Sequence, residues 1–140
     1  MRVVIDTNVF VESLSGTSPY HAIFQSLVEG SFWVCVSTSI MLEYEEVVYA
    51  LHRQENADRL RDFLNISPFV IPVEPTYRFN LITVDPDDNK FVDCAIAANA
   101  DHVVTSDHHF DVLKYVDFPK VHVIHPEEFI KQYLPADWQI

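Results

Sequence analysis

The sequence predicts an α/β protein, a three-layer α/β/α sandwich around a central parallel sheet of about five strands. Three observations point there. Short β-branched runs alternate along the chain with longer segments of helical periodicity, the pattern of βαβ units with helices on both faces of a parallel sheet. The length, 140 residues, suits one domain with one core. Apolar residues make up 49% of the chain and aromatic residues 13%, enough to fill that core and too much for a disordered chain. No repeat, low-complexity tract or linker breaks the pattern, so residues 1–140 read as a single domain.

The elements follow in order. Val3 to Ile5 is the first strand, and a helix runs from Val9 to Leu14. Ser18 and Pro19 are expected to open a second helix, with Ser as its cap and Pro in its first turn, and Gly30 to stop it. Trp33 to Val36 is the second strand. Ser37, Thr38 or Ser39 then caps a long helix carrying Ile40, Glu43, Val47 and Leu51. A further helix covers roughly residues 54 to 65 and ends before Pro68. Phe69 to Val73 is the third strand, and Pro75 to Asp85 has no clear pattern. Asp87 or Asp88 caps a helix through Phe91, Ala95 and Ala98. His102 to Thr105 is the fourth strand, a short helix carries Phe110 and Leu113, and Val121 to Ile124 is the last strand. Pro126 opens a terminal helix through Phe129, Ile130 and Tyr133.

Composition excludes several functions. With only two glycines, Gly16 and Gly30, neither a P-loop nor a Rossmann phosphate-binding loop can be written. Cys35 and Cys94 sit in apolar segments and read as small hydrophobes, and no CxxC pair is available for zinc. No apolar stretch reaches 18 residues, and the N-terminus reads as a strand rather than a signal peptide, so a cytoplasmic protein is expected. The formal net charge is −12 with nine Lys and Arg, which argues against nucleic-acid binding over a broad basic face. It leaves room for clustered carboxylates whose local sign is reversed by bound cations, and for a basic partner.

Ligands of an open parallel sheet gather beyond the carboxyl ends of its strands. Asp6 follows the first strand directly; Thr105, Ser106 and Asp107 follow the fourth. Asp6 and Asp107 should therefore face one crevice although 100 residues separate them. Two helices can add acids. Glu43 lies near the start of the helix leaving the second strand, and Asp93 sits one turn into its helix among Cys94, Ala95 and Ile96. Clustered carboxylates raise one another's pKa, and a divalent cation relieves the repulsion. Oxygen ligands without His or Cys select Mg²⁺ or Mn²⁺, which can activate water and stabilise charge on a phosphodiester.

These residues resemble the PIN-domain family over essentially the whole chain. The matching segments are Val3-Val4-Ile5-Asp6-Thr7-Asn8, Leu42-Glu43-Tyr44, Asp93-Cys94-Ala95-Ile96-Ala97-Ala98 and Thr105-Ser106-Asp107. Asp85-Pro86-Asp87-Asp88-Asn89-Lys90-Phe91 and Val123-Ile124-His125-Pro126-Glu127-Glu128-Phe129 look like one subgroup of toxins. The resemblance implies a metal-dependent ribonuclease acting on RNA, the toxin of a toxin–antitoxin pair, held by a small antitoxin and forming a homodimer. It implies Asp6, Glu43, Asp93 and Asp107 as catalytic metal ligands, supported by Asn8, Thr105 and Ser106. Asp88 competes with Asp93 for the third place. Five helical residues put the two about 140° apart, so they cannot share one face. Asp93 stands ahead of Asp88.

Plainer readings exist for each residue. Asp6, Asp88 and Asp107 can each cap a helix, and Glu43 can be a solvated acid beside Glu45 and Glu46. His108 and His109 are adjacent and point to different faces, which favours surface or capping roles. Arg53, Arg59 and Arg61 are interleaved with Glu55, Asp58 and Asp62 and are expected to pair with them. Phe32, Trp33 and Tyr49 are expected to be exposed and to permit a dimer. A rival function is aspartyl-phosphate chemistry, which needs a second acid where Asn8 stands; another is a catalytically silent module that keeps the fold for binding.

Overall fold

The structure is a computed structural model that describes residues 1–51 and 54–135; Arg53 and His52 lie outside the described residues. Five parallel strands form one sheet: β1 (Arg2–Ile5), β2 (Trp33–Val36), β3 (Val70–Pro72), β4 (His102–Val104) and β5 (Val123–Ile124). Their order is β3-β2-β1-β4-β5. The central strands carry uninterrupted apolar runs, and Val3, Val4, Ile5, Val34, Cys35 and Val36 are wholly buried. Such runs, rather than alternation, are what strands covered on both faces require.

The order of the strands locates the site. The chain moves from β1 outward through β2 to β3, then crosses back to β4 and β5 on the other side of β1. Right-handed crossovers in opposite directions place their helices on opposite faces, and the reversal leaves a crevice between β1 and β4. The first direction is served by α1 (Thr7–Ser13), α2 (His21–Val28), α3 (Thr38–Leu51) and α4 (Gln54–Ile66); the return is made by α5 (Asn89–Ala98), which packs along β1, β2 and β4. The last described element is the helix α6 (Pro126–Tyr133), its first turn capped by the His125 ring.

Two aromatic rings tie α1 and α3 to β1. Tyr44 is fully buried, its ring stacks on Phe10 at 4.1 Å between centroids, and its hydroxyl donates to the Ile5 carbonyl. That bond anchors α3 one residue away from Asp6. Ser37 caps α3 through the Ile40 amide at 3.2 Å. Gly30 closes α2 at φ 80, and a Cβ there would lie 2.5 Å from the Phe69 ring, so both backbone and packing require glycine. At the end of α5 the left-handed position, often glycine's, is taken by Asn99. Cys35 and Cys94 are buried free thiols, as expected.

Several expectations need correction. Ser18 and Pro19 do not begin α2. The Ser18 hydroxyl accepts the Tyr20 amide in a turn, and the helix starts at His21. Phe32 is not exposed; it is 2% accessible and meets Phe129 edge-on, whereas Trp33 and Tyr49 are indeed on the surface. The unassigned stretch before Asp85 is neither helix nor strand. It is held from α5, where the buried Asn89 side chain accepts the Ile82 amide at 2.9 Å and donates to the Ile82 carbonyl at 2.8 Å. Arg61 pairs with Asp58 as expected, and also with Glu45 on α3 at 3.1 Å.

Candidate functional site

The crevice between β1 and β4 gathers acids from four segments. Asp6 is fastened to the neighbouring strand, its amide donating to the Val104 carbonyl at 3.0 Å. Its carboxylate is buried and accepts the Thr105 hydroxyl at 2.7 Å. Burial raises its pKa, the Thr105 hydroxyl and the Thr7 amide oppose the rise, and the charges of Asp107 and Glu43 add to it. Asp6 occupies the cap position of α1 without making a capping bond, so its side chain is turned to the crevice.

Thr105 also accepts the Asp107 amide at 3.0 Å, so one hydroxyl sets the positions of two acids. Asp107 accepts the His109 amide at 2.9 Å and caps the 3₁₀ turn His108–Tyr115. The plainer reading of Asp107 as a cap is thus realised, and its charge still reaches Asp6 and Asp88. Asn8 and Ser106 lie at the exposed edge of this group.

Asp88 enters from the start of α5, after the 3₁₀ turn Pro86–Asp88. It stands at the cap position of α5 but makes no capping bond. Its Oδ2 is buried and has no hydrogen-bond partner among the described residues. Its pKa is pushed up to about 6 by burial first, then by Asp85, Asp107 and Asp6, with His109 opposing. Carboxyl and imidazole ligand atoms of Asp85, Asp88 and His109 lie within 4.8 Å of one another. The His109 Nδ1, also buried and making no hydrogen bond among the described residues, is 3.5 Å from Asp107 and 3.7 Å from Asp88. His108, by contrast, is exposed.

Asp85 is not singled out by the sequence, and His109, read there with His108 as a surface or capping residue, instead stands beside Asp85 and Asp88. One signal was present: three residues make one turn of a 3₁₀ helix, so Asp85 and Asp88 align on one face if that segment is 3₁₀. For His109 the sequence shows its nearness to Asp107 but not its meeting with Asp85 and Asp88.

Glu43 lies in the second turn of α3 and faces the group from the other side. One of its oxygens accepts the Thr7 hydroxyl; the other receives the Lys90 ammonium at 2.6 Å, and Lys90 also reaches Asp87 at 2.9 Å. Lys90 was missed as well, because a lysine in the first turn of a helix reads as solvent-facing.

Asp93, placed ahead of Asp88 from the sequence, lies apart from these acids. Its carboxylate accepts the Phe79 amide at 3.2 Å, and burial raises its pKa while Phe79 and the Arg78 charge oppose. No other acid contributes to its shift, whereas three contribute to that of Asp88. By position it is Asp88, rather than Asp93, that stands among the other acids. The reason is the helical rotation between them, which turns Asp93 onto the segment before Asp85 and Asp88 into the crevice.

The residues present fit a hard divalent cation. They are mostly carboxylates, they raise one another's pKa, and Asp88 holds a buried oxygen that accepts no hydrogen bond among the described residues, a costly state that a cation removes.

Comparison with known proteins adds the following. A family model described as PIN domain matches residues 2–109. Among solved structures, VapBC2 from Rickettsia felis bound to a DNA fragment from their promoter is similar at TM-score 0.62 and 16% identity, covering 89% of this chain and 98% of that one. FitAB bound to IR36 DNA fragment matches at TM-score 0.57 and 18% identity, covering 89% and 94%. FitAcB from Neisseria gonorrhoeae matches at TM-score 0.56 and 20% identity, covering 89% and 97%. A search of curated proteins gives no match.

Proposed function

The chain belongs to the PIN-domain family, and on that premise we propose that it is a metal-dependent ribonuclease, the toxin of a type II toxin–antitoxin pair. The observation that carries the reading is the convergence of Asp6, Asp88 and Asp107 on the crevice between β1 and β4, with a buried Asp88 oxygen that lacks a partner. Asp6, Asp88 and Asp107 would hold Mg²⁺ or Mn²⁺, with Glu43 flanking them. When bound, such a cation stabilises charge on a phosphodiester and lowers the pKa of water.

The chain's own residues prepare the site. Thr105 orients Asp6 and Asp107 together, so the two acids keep one spacing. Asp88 releases its proton near pH 6, so the full acid set is ionised at neutral pH only at a cost that favours cation binding. Asp93 and Asn89 hold the segment before Asp85 in place and so shape the rim. RNA as substrate, and internal rather than end-directed cleavage, rest on the family.

The partner reading follows from charge. With a net charge of −12, this chain is ill suited to contact DNA by itself. The similar VapBC2 and FitAB structures are bound to DNA fragments. A basic antitoxin would supply the DNA contact here and inhibit by placing a cationic side chain near the acids. Trp33 and Tyr49, exposed at 43% and 56%, offer surface for a homodimer. The chain is read as one cytoplasmic domain; among the described residues no helix is long and apolar enough to cross a membrane.

The test is RNA cleavage by purified protein with Mn²⁺. Cleavage is expected, EDTA abolishes it, and Asp6→Asn lowers it by at least about 100-fold, the loss of a metal ligand. Equal cleavage by both proteins, or cleavage that persists in EDTA, refutes metal-dependent catalysis. Absence of cleavage with intact metal binding favours the silent binding module.

A further inference from the structure

Both oxygens of Glu43 are occupied by groups of this chain. One takes the Thr7 hydroxyl and the other the Lys90 ammonium at 2.6 Å. Lys90 is 14% exposed, and a second carboxylate, Asp87, holds it at 2.9 Å. The opposite side of the site is different: among the described residues the buried Asp88 Oδ2 accepts no hydrogen bond, and the His109 ring nitrogen stops 3.7 Å short of it.

The first turn of α5 creates this division. Residues two apart on a helix are rotated by about 200°, so Asp88 and Lys90 leave the same turn in nearly opposite directions. Asp88 is directed at Asp107 and His109; Lys90 is directed at Glu43. The acids of the site are thereby sorted into one set neutralised from within and one that is not.

Nucleases that use two metal ions keep them about 3.5–4 Å apart, and each ion needs carboxylate oxygens of its own. An ion arriving at Glu43 would have to displace an ammonium that is largely buried and bound to two carboxylates. Breaking such a pair is strongly unfavourable, because it leaves a poorly solvated charge behind. We propose that the Lys90 ammonium occupies the second cation position beside Glu43, so that the site binds one divalent ion rather than two. The proposal rests on the metal-dependent reading above and specifies its stoichiometry. Lys90 acts here through Glu43, as a positioning residue that fixes one acid and supplies permanent positive charge.

The experiment is a Mn²⁺ titration of the full chain, followed by the electron paramagnetic resonance signal of free Mn²⁺, which requires no turnover. Wild type is expected to bind one ion per chain. Lys90→Met and Lys90→Gln, which remove the charge with and without a hydrogen-bonding end, should bind two. Lys90→Arg should restore one, and the double variant Lys90→Met/Glu43→Gln should also return to one. A role for Lys90 in folding alone would not change the count in this pattern. Two ions in wild type overturn the proposal whatever the variants do. One ion in both wild type and the neutral variants overturns it while leaving metal dependence standing. No Mn²⁺ bound by wild type overturns both.

Discussion

Asp88 and Asp93 lie five residues apart at the front of one helix, and burial raises the pKa of each, yet they end in opposite situations. Asp93 is met by a backbone amide at 3.2 Å and by the charge of Arg78. Asp88 is surrounded by Asp85, Asp107 and Asp6, with His109 opposing them, and its buried Oδ2 accepts no hydrogen bond among the described residues. The contrast teaches that a buried acid is informative only together with what satisfies it. Asp93 is satisfied by the protein and holds a loop. Asp88 is held among like charges.

The strongest attack on this contrast compares metal affinity. Asp88→Asn should weaken Mn²⁺ binding by about 100-fold, roughly 2.7 kcal/mol, while Asp93→Asn changes it by less than about twofold. Titration of both variants decides the matter. A large loss in a well-folded Asp93→Asn protein together with an unchanged Asp88→Asn protein would restore the order expected from sequence.

A smaller effect is expected on stability, and it runs the other way. Asp93→Ala leaves the Phe79 amide without its acceptor and should cost about 1–2 kcal/mol in chemical denaturation. Asp88→Asn removes a carboxylate from among like charges and should leave the metal-free protein as stable as wild type or more so. A destabilised Asp88→Asn protein would show that Asp88 has a structural partner.

The smallest effect is the pH dependence of the metal-free protein. The folded-state pKa of Asp88, about 6, lies above its usual 3.8, so between those values the folded state binds more protons than the unfolded state. Stability should therefore fall as pH rises from about 4 to about 6, with the penalty fully present above that. Asp6 and Asp93 are shifted in the same direction and add to the trend. Thermal melts at pH 5 and 7 should differ less for Asp88→Asn than for wild type; an unchanged difference would separate Asp88 from the effect.

Much of the fold was legible because it is written in local patterns. The runs Val3 to Ile5 and Val34 to Val36 announce covered parallel strands, and the helical periodicities between them announce crossovers. The placement of Asp6 and Asp107 at strand ends was legible for the same reason. The turn at Ser18 was misread because a Ser-Pro pair opens turns and helices alike, and only the Tyr20 amide decides between them. Phe32 was misread because nothing local reveals Phe129 against it.

By itself the sequence determined the layers, the parallel sheet and the acids that stand at its strand ends, since periodicity and strand termination depend on neighbours along the chain. Only the tertiary structure decided which acid of α5 faces the crevice, that Asp85 and His109 stand beside it, and that Lys90 neutralises Glu43. Those outcomes depend on the rotation of α5 against β1 and β4 and on groups brought in from other elements of the fold. Helical spacing states that Asp88 and Asp93 diverge; it does not state which of them turns toward Asp6.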